Sequence, residues 1–94
     1  MVRAMDLKIR ANQVKAEQYS RVGKKVEEIL SKEEERMLAA ASRGMTSHIM
    51  RPYDNFDSDE EREMAKGIFN RILKDARYTI KENDVGRDRL VFSW

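Results

Sequence analysis

The chain has 94 residues, no cysteine, a single histidine and a net charge of +2, from 19 Lys and Arg against 17 Asp and Glu. That length allows one domain, and the composition excludes disulfides and a tetrahedral zinc site. No apolar run approaches the roughly 20 residues that cross a bilayer, and the near-neutral charge is not that of a protein built mainly to neutralise phosphates.

The first predicted element is an amphipathic helix over residues 4–30. Leu7, Ala11 and Val14 fall on one stripe, which Val22 and Val26 continue at helical spacing. A stripe this narrow on a long helix either packs on its own domain or pairs with a second copy, and the pattern leaves both open.

Ser31 and Glu34 have the Ser-x-x-Glu form of a capping box, which indicates either a new helix start or a kink in a continuous helix. The predicted buried face of the helical segment that follows Ser31 is formed by Met37, Leu38, Ala40 and Ala41. Gly44 follows the last periodic residue and predicts the helix end.

The next predicted element, a short strand over residues 46–50, lies between a glycine and a proline and suits a sheet edge. After a loop, Ser58 and Glu61 repeat the capping-box form. The helix that they start has the cleanest apolar face in the chain, formed by Met64, Ala65, Ile68, Phe69, Ile72, Leu73 and Ala76.

Two further strands are predicted, over residues 78–80 and 89–94, joined by a turn at residues 83–86. Leu90, Phe92 and Trp94 alternate onto one face, which the helices should cover. The most apolar strand belongs in the middle, and a helical crossover makes the first two strands parallel.

These elements predict an α+β fold. It has a long N-terminal helix or helix pair, then a β-α-β-β unit with a three-stranded mixed sheet in the order 1-3-2. We expect a single domain over 1–94, with a helical segment over 1–43 and the β-α-β-β segment over 44–94.

A ligand site is predicted where the first helical segment meets the edge strand. Two guanidinium groups and two aromatic rings suit a phosphate or nucleotide, through bidentate hydrogen bonds and stacking. If the chain oligomerises, several copies could converge on one pocket. The residues are Arg43, His48, Arg51 and Tyr53.

The first helix offers an alternative, a nucleic-acid surface. Acidic residues interrupt its basic positions, so a solvated helix face explains the same pattern. The residues of this surface are Lys8, Arg10, Lys15, Arg21, Lys24 and Lys25.

No arrangement of residues predicts catalysis, a metal site or a cofactor. His48 has no nucleophile at a familiar spacing. The acidic loop around Asp57 lacks the central glycine of a calcium site, and the glycines are isolated rather than grouped into a phosphate loop. We therefore expect a protein that is not an enzyme and needs no cofactor.

Several features resemble a group of short bacteriophage and prophage proteins. They are the Ala39–Gly44 ending, the Leu-x-x-x-x-Tyr spacing from Leu73 to Tyr78, and the terminal Leu-Val-Phe-Ser-Trp. The resemblance covers roughly the last sixty residues, and Arg77 stands where the commoner form has glycine before the tyrosine.

That resemblance implies a phage accessory protein that inhibits or sequesters a host or anti-phage defence component. The target would be a host protein or a nucleotide-like signal, in the host cytoplasm. Nucleic-acid binding and virion assembly are the alternatives. Because small domains without disulfides or metals often gain stability by self-association, we also expect a homo-oligomer.

Overall fold

A single uninterrupted helix, α1, runs from Ala4 to Ser42 in the computed structural model, which describes all 94 residues. The Ser31 position is thus neither a helix start nor a break, because its neighbours' backbone groups are already bonded within the helix. As predicted, the helix ends just before Gly44, whose φ of 82° is left-handed. There the N–H of Gly44 bonds to the carbonyl of Ala41, and that of Met45 to the carbonyl of Ala40.

The sheet has the predicted order. Its strands are β1 (Ser47–Met50), β2 (Thr79–Asp84) and β3 (Arg89–Ser93), with β3 in the centre. Both neighbouring pairs are antiparallel, so the expected mixed sheet is antiparallel throughout. The strands β1 and β2 run in the same direction, as predicted. They are not neighbours, however, because β3 lies between them and is antiparallel to both.

Strand β2 is longer than its sequence predicts. Asn83 and Asp84 have turn chemistry, yet both pair with β3, opposite Leu90 and Arg89. The register shifts between Ile80 and Glu82. Extension of the strand carries the Asn83 side chain toward the helices, where it has hydrogen-bond partners described below.

Helix α2 spans Asp59–Asp75 and begins at the predicted cap. The Ser58 hydroxyl accepts a hydrogen bond from the Glu61 N–H at 3.2 Å, and the Glu61 carboxylate accepts one from the Asp57 N–H at 3.2 Å. At the other end Arg77 has a φ of 69°, a left-handed conformation in which glycine avoids the steric cost of a side chain.

The two Ser-x-x-Glu sequences therefore make a matched pair for a stability test. Ser58→Ala removes a cap and should lower the free energy of unfolding by about 1 kcal/mol. Ser31→Ala replaces an exposed residue inside α1 and should leave it unchanged or slightly raised, because alanine favours the helix. Urea unfolding followed by circular dichroism measures both, and equal losses would contradict the cap assignment.

The core lies between α2, part of α1 and one face of the sheet. Its first member along the chain is Val22, and its central members include Phe69, Leu90 and Phe92, all fully buried. Trp94 is not covered as predicted: it follows the last residue of β3, and 42% of it is exposed. Neither helix combines the length and apolar composition that a membrane span requires.

Residues 4–20 of α1, here called the arm, contribute no buried residue. The whole of α1, with 39 residues, is about 58 Å long, and the whole molecule measures 64 × 23 × 19 Å. The arm therefore projects from the body, and its only hydrogen bond to the body is donated by Arg71 to the Tyr19 hydroxyl at 3.0 Å.

Candidate functional site

A groove lies between the C-terminal turns of α1 and the edge strand β1. It has a volume of about 410 Å³ and is open to solvent. Two arginines and the histidine share it with small and apolar side chains. We call it the arginine groove, and its lining residues are Arg36, Ala39, Ala40, Arg43, Met45, Ser47, His48 and Ile49.

His48 is held in place within this groove. Its Nε2 lies 2.7 Å from Oε2 of Glu33, and its ring meets the ring of Phe92 edge to face at 5.7 Å between centroids. Both side chains of the His48–Glu33 pair are nearly buried, 13% and 15% exposed. The carboxylate fixes the ring orientation, and no hydroxyl group is hydrogen-bonded to the ring, so the pair lacks the nucleophile of a catalytic triad.

The two arginines differ in their partners. Arg36 donates to Glu33 at 3.1 Å while its side chain stays 76% exposed. Arg43 has no carboxylate within ion-pair distance. A guanidinium without an intramolecular partner has all its donors available, and its fork geometry matches a phosphate or carboxylate.

Of the four residues predicted for a ligand site, only Arg43 and His48 line this groove. Arg51 is exposed but does not line it. Tyr53 is fully buried, so its ring cannot stack on a ligand as expected. The short 3₁₀ turn over Tyr53–Asn55 places the ring in the core, edge to face with Phe69.

Arg36 was missed by the sequence reasoning. It precedes Arg43 by seven residues, which is close to two helical turns, so the two side chains share one side of α1. That seven-residue spacing is the signal in the sequence that identifies Arg36 as a second guanidinium on the same side of the helix.

Tyr53 belongs instead to a buried polar network. Its hydroxyl donates to Oδ1 of Asn83, whose amide nitrogen donates to Oδ1 of Asn70 at 2.9 Å. Burial raises the pKa of Tyr53 well above its usual value. The Asp88 carboxylate accepts the Tyr53 N–H at 2.6 Å, and burial raises the pKa of this carboxyl as well.

A second groove, with a different chemistry, lies between α1, the end of α2 and the start of β2. Leu38 was predicted to be buried, but it stands at the edge of this groove with 68% of its surface exposed, because no element covers that side of α1. We call it the apolar groove; it is lined by Leu30, Glu34, Met37, Leu38, Ala41, Ile72, Leu73, Ala76, Tyr78 and Trp94.

The six basic residues of the nucleic-acid alternative do not form one surface. Lys8 and Arg10 are two residues apart and face away from each other on the helix. Arg21 is paired with Glu61 at 2.7 Å, and Lys25 lies over the ring of Phe56 at 5.3 Å. Arg21, Lys24 and Lys25 line one shallow depression together with Glu28, whereas Lys8, Arg10 and Lys15 are on the arm.

No group of three or more acidic or histidine side chains is placed to hold a metal ion. Comparisons with protein-family models, with curated proteins and with solved structures find no match.

Proposed function

We propose that this protein is a non-enzymatic binding protein that captures a phosphate-bearing, nucleotide-like ligand in the arginine groove. The observation that carries the proposal is the convergence of Arg36, Arg43 and His48 on one groove. Such a protein would act by sequestration, lowering the free concentration of its ligand in proportion to its own abundance.

The composition of the groove supports a ligand with an anionic part and an apolar part. Arg43 and Arg36 offer guanidinium groups for phosphate oxygens. Met45 and Ile49 are each about half exposed and offer apolar contact to a base or sugar. The volume of about 410 Å³ is within the roughly 300–1,000 Å³ of small-molecule sites.

Binding without turnover is favoured by the way His48 is held. A general base needs its free nitrogen within reach of a nucleophile or a bound water. Here the Glu33 carboxylate holds one ring nitrogen, and the Phe92 ring packs against the imidazole. Ser47 carries the one hydroxyl in the lining, and it makes no hydrogen bond to His48, so the groove offers charge and shape to a ligand without an activated nucleophile.

The resemblance to small phage proteins supports a biological setting. A phage accessory protein of this size could sequester a nucleotide signal that the host uses in defence, in the host cytoplasm. Both the phage origin and the signalling role are proposals, and they depend on the terminal motifs and on the chemistry of the groove.

Native mass spectrometry of freshly purified protein tests whether a phosphate-containing molecule copurifies. Titration with a panel of mononucleotides and cyclic dinucleotides, followed by calorimetry, tests affinity. Arg43→Ala should weaken binding by roughly 10- to 100-fold, because a hydrogen bond to a charged group contributes about 1.5–3 kcal/mol. The affinity of the Arg43→Lys variant should lie between those of the wild type and Arg43→Ala, because lysine keeps the positive charge but cannot make the bidentate hydrogen bonds of a guanidinium.

Arg87→Ala is the matched control. Arg87 is exposed in the turn before β3, outside the groove, so its removal should leave affinity unchanged. Equal losses in the Arg43→Ala and Arg87→Ala variants would mean that net charge, and not the groove, binds the ligand. The absence of both a copurifying phosphate mass and a calorimetric signal with the panel would refute the proposal.

A further inference from the structure

Seven basic residues share one side of α1. Because the helix has no break at Ser31, one period of 3.6 residues per turn holds along its whole length. The residues are spaced by 7, 11, 4, 7, 4 and 7 positions, and each spacing is close to a whole number of helical turns. We call them the basic face: Arg3, Arg10, Arg21, Lys25, Lys32, Arg36 and Arg43. Three of the seven belong to the set predicted from the sequence, whose other members point elsewhere.

The acidic residues of α1 are concentrated on a different side. Opposite the core residue Val22, within about 40° of helix rotation on either side, lie four acidic residues and one basic residue, Lys24. The four acidic residues are Asp6, Glu17, Glu27 and Glu35. The near-neutral net charge of the chain therefore results in part from the separation of the two signs onto different sides of one helix.

The basic face has hydrogen-bond donors available to a ligand. Four of its members are exposed and have no carboxylate within ion-pair distance: Arg3, Arg10, Lys32 and Arg43. Arg21 and Arg36 each use one nitrogen to bind Glu61 and Glu33, and their side chains stay 68% and 76% exposed. With these two glutamates and Glu28, which lies on the same side, seven positive charges accompany three negative charges.

The basic face is long and straight. It extends from residue 3 to residue 43, which is about 60 Å at 1.5 Å per residue. Neighbouring members are about 6 to 17 Å apart along the helix axis. A flexible strand can follow such a line, whereas each strand of a duplex winds around its axis once in about 34 Å and so leaves a straight helix.

We propose that the basic face binds the phosphate backbone of a single-stranded nucleic acid, and that one nucleotide of the strand occupies the arginine groove. Arg36 and Arg43 belong to both features, so a strand that starts in the groove continues along α1 toward the arm. The half-exposed Met45 and Ile49 suit an unstacked base, which a single strand offers and a duplex does not. The proposal rests on the proposed function, because the groove is the site of that nucleotide.

The pattern of α1 differs from that of a helix that lies on a lipid surface. Such a helix has a continuous apolar side with basic residues at its edges. Leu7 and Val14 share the side of the basic face, but only on the arm. Between residues 15 and 35 this side has no apolar residue and consists of Gln18, Arg21, Lys25, Glu28 and Lys32. A charged centre favours a hydrated phosphate backbone over the interior of a bilayer.

Fluorescence anisotropy with labelled oligothymidylates of about 2, 6 and 12 nucleotides tests the proposal, since single-strand sites in other folds cover roughly 4–16 nucleotides. The affinity should rise with the length of the strand. For the longest strand, the logarithm of the binding constant should fall with the logarithm of the salt concentration. The slope should be about −3 or steeper, because each neutralised phosphate of a single strand contributes about −0.7.

Arg10→Glu and Lys8→Glu are the matched variants. Both residues are exposed on the arm without an ion-pair partner, and both substitutions replace a positive charge by a negative one. Only Arg10 is on the basic face. Arg10→Glu should weaken binding of the longest strand about tenfold and make the salt slope less steep by about 1, whereas Lys8→Glu should weaken it by less than about twofold. Circular dichroism checks that both variants fold.

Mononucleotide binding separates this proposal from the proposed function. Arg10 is about 50 Å from Arg43 along α1, so Arg10→Glu should leave the affinity for a mononucleotide unchanged. If mononucleotides bind and longer strands bind no more tightly, the basic face is not a strand site and the arginine groove keeps its proposed role. If neither binds, both proposals are refuted.

Three further results would overturn the assignment. Equal losses in Arg10→Glu and Lys8→Glu would show that net charge, and not the basic face, attracts the strand. A duplex of the same length that binds more tightly than the single strand would show that the partner is double-stranded. Binding to vesicles rich in anionic lipid, without binding to any oligothymidylate, would indicate a membrane surface instead.

Discussion

Replacing Phe92 by alanine is expected to lower the free energy of unfolding by about 3–5 kcal/mol. Phe92 is fully buried in the central strand, and its ring meets those of His48 and Tyr78 edge to face at 5.7 and 5.4 Å between centroids. Domains of this size have a total stability of roughly 5–14 kcal/mol. The loss is therefore a large part of what holds the protein folded.

Val91→Ala is the control for this variant. Val91 directly precedes Phe92 on β3. Its side chain points to the opposite face of the sheet and is only partly buried. Its truncation should cost about 1 kcal/mol or less. Urea unfolding followed by circular dichroism gives both values, and a similar loss in the two variants would contradict a core confined to one face of the sheet.

Tyr53→Phe is expected to cost about 1–3 kcal/mol at neutral pH, because it leaves the partly buried side-chain oxygen of Asn83 without the phenol that donates to it. Tyr19→Phe is the matched control. The Tyr19 hydroxyl accepts a bond from Arg71 at the exposed surface, and its removal should change stability little.

The Tyr53 variant should also change the response to alkaline pH. Burial raises the pKa of Tyr53 in the folded chain, so above about pH 10 the unfolded chain releases this proton while the folded chain keeps it. Unfolding then releases a proton, and wild-type stability falls as the pH rises. Phenylalanine removes that contribution, so the gap between wild type and Tyr53→Phe should narrow between pH 9 and pH 11.

Unfolding at several pH values, with the Tyr19→Phe protein measured alongside, tests this expectation. If the gap between wild type and Tyr53→Phe stayed constant across the range, the phenol would titrate alike in the folded and unfolded chains. The network around Asn83 would then not be the closed environment that the hydrogen bonds describe.

The strand order and the second helix could be predicted because each depends on a local pattern with one physical solution. The apolar positions of α2 repeat at the helical period, and Ser58 supplies the cap. Leu90 and Phe92 alternate on the most apolar strand, which favours the centre of the sheet. Only one face of that strand is buried, because the helices pack against one side of the antiparallel sheet.

Other features were ambiguous because they depend on what lies nearby in space. Ser31 and Glu34 have the same form as Ser58 and Glu61, but a capping pattern acts only where backbone N–H groups lack helical partners. Leu38 has the spacing of a buried residue, yet no strand or helix covers its side of α1. Asn83 has turn chemistry and instead fills a buried polar network.

The residues of the candidate site could likewise be predicted only where their positions depend on the local sequence. Arg43 and His48 were predicted together because a helix end and the following strand are close in both sequence and space. Tyr53 was misplaced because the turn that buries it depends on contacts with α2 and β2. The apolar groove was not foreseen, since its walls come from segments separated by some forty residues.

Val22, the first residue along the chain to enter the core, divides α1 into two regions in which substitutions have different consequences. From Val22 onward, a substitution on the inner face changes packing and stability together. Before it, only Tyr19 and Arg21 bond to the body, through Arg71 and Glu61, so a substitution at any other position leaves the packing of the body unchanged. The sequence of the arm can therefore vary while the fold and the arginine groove stay the same.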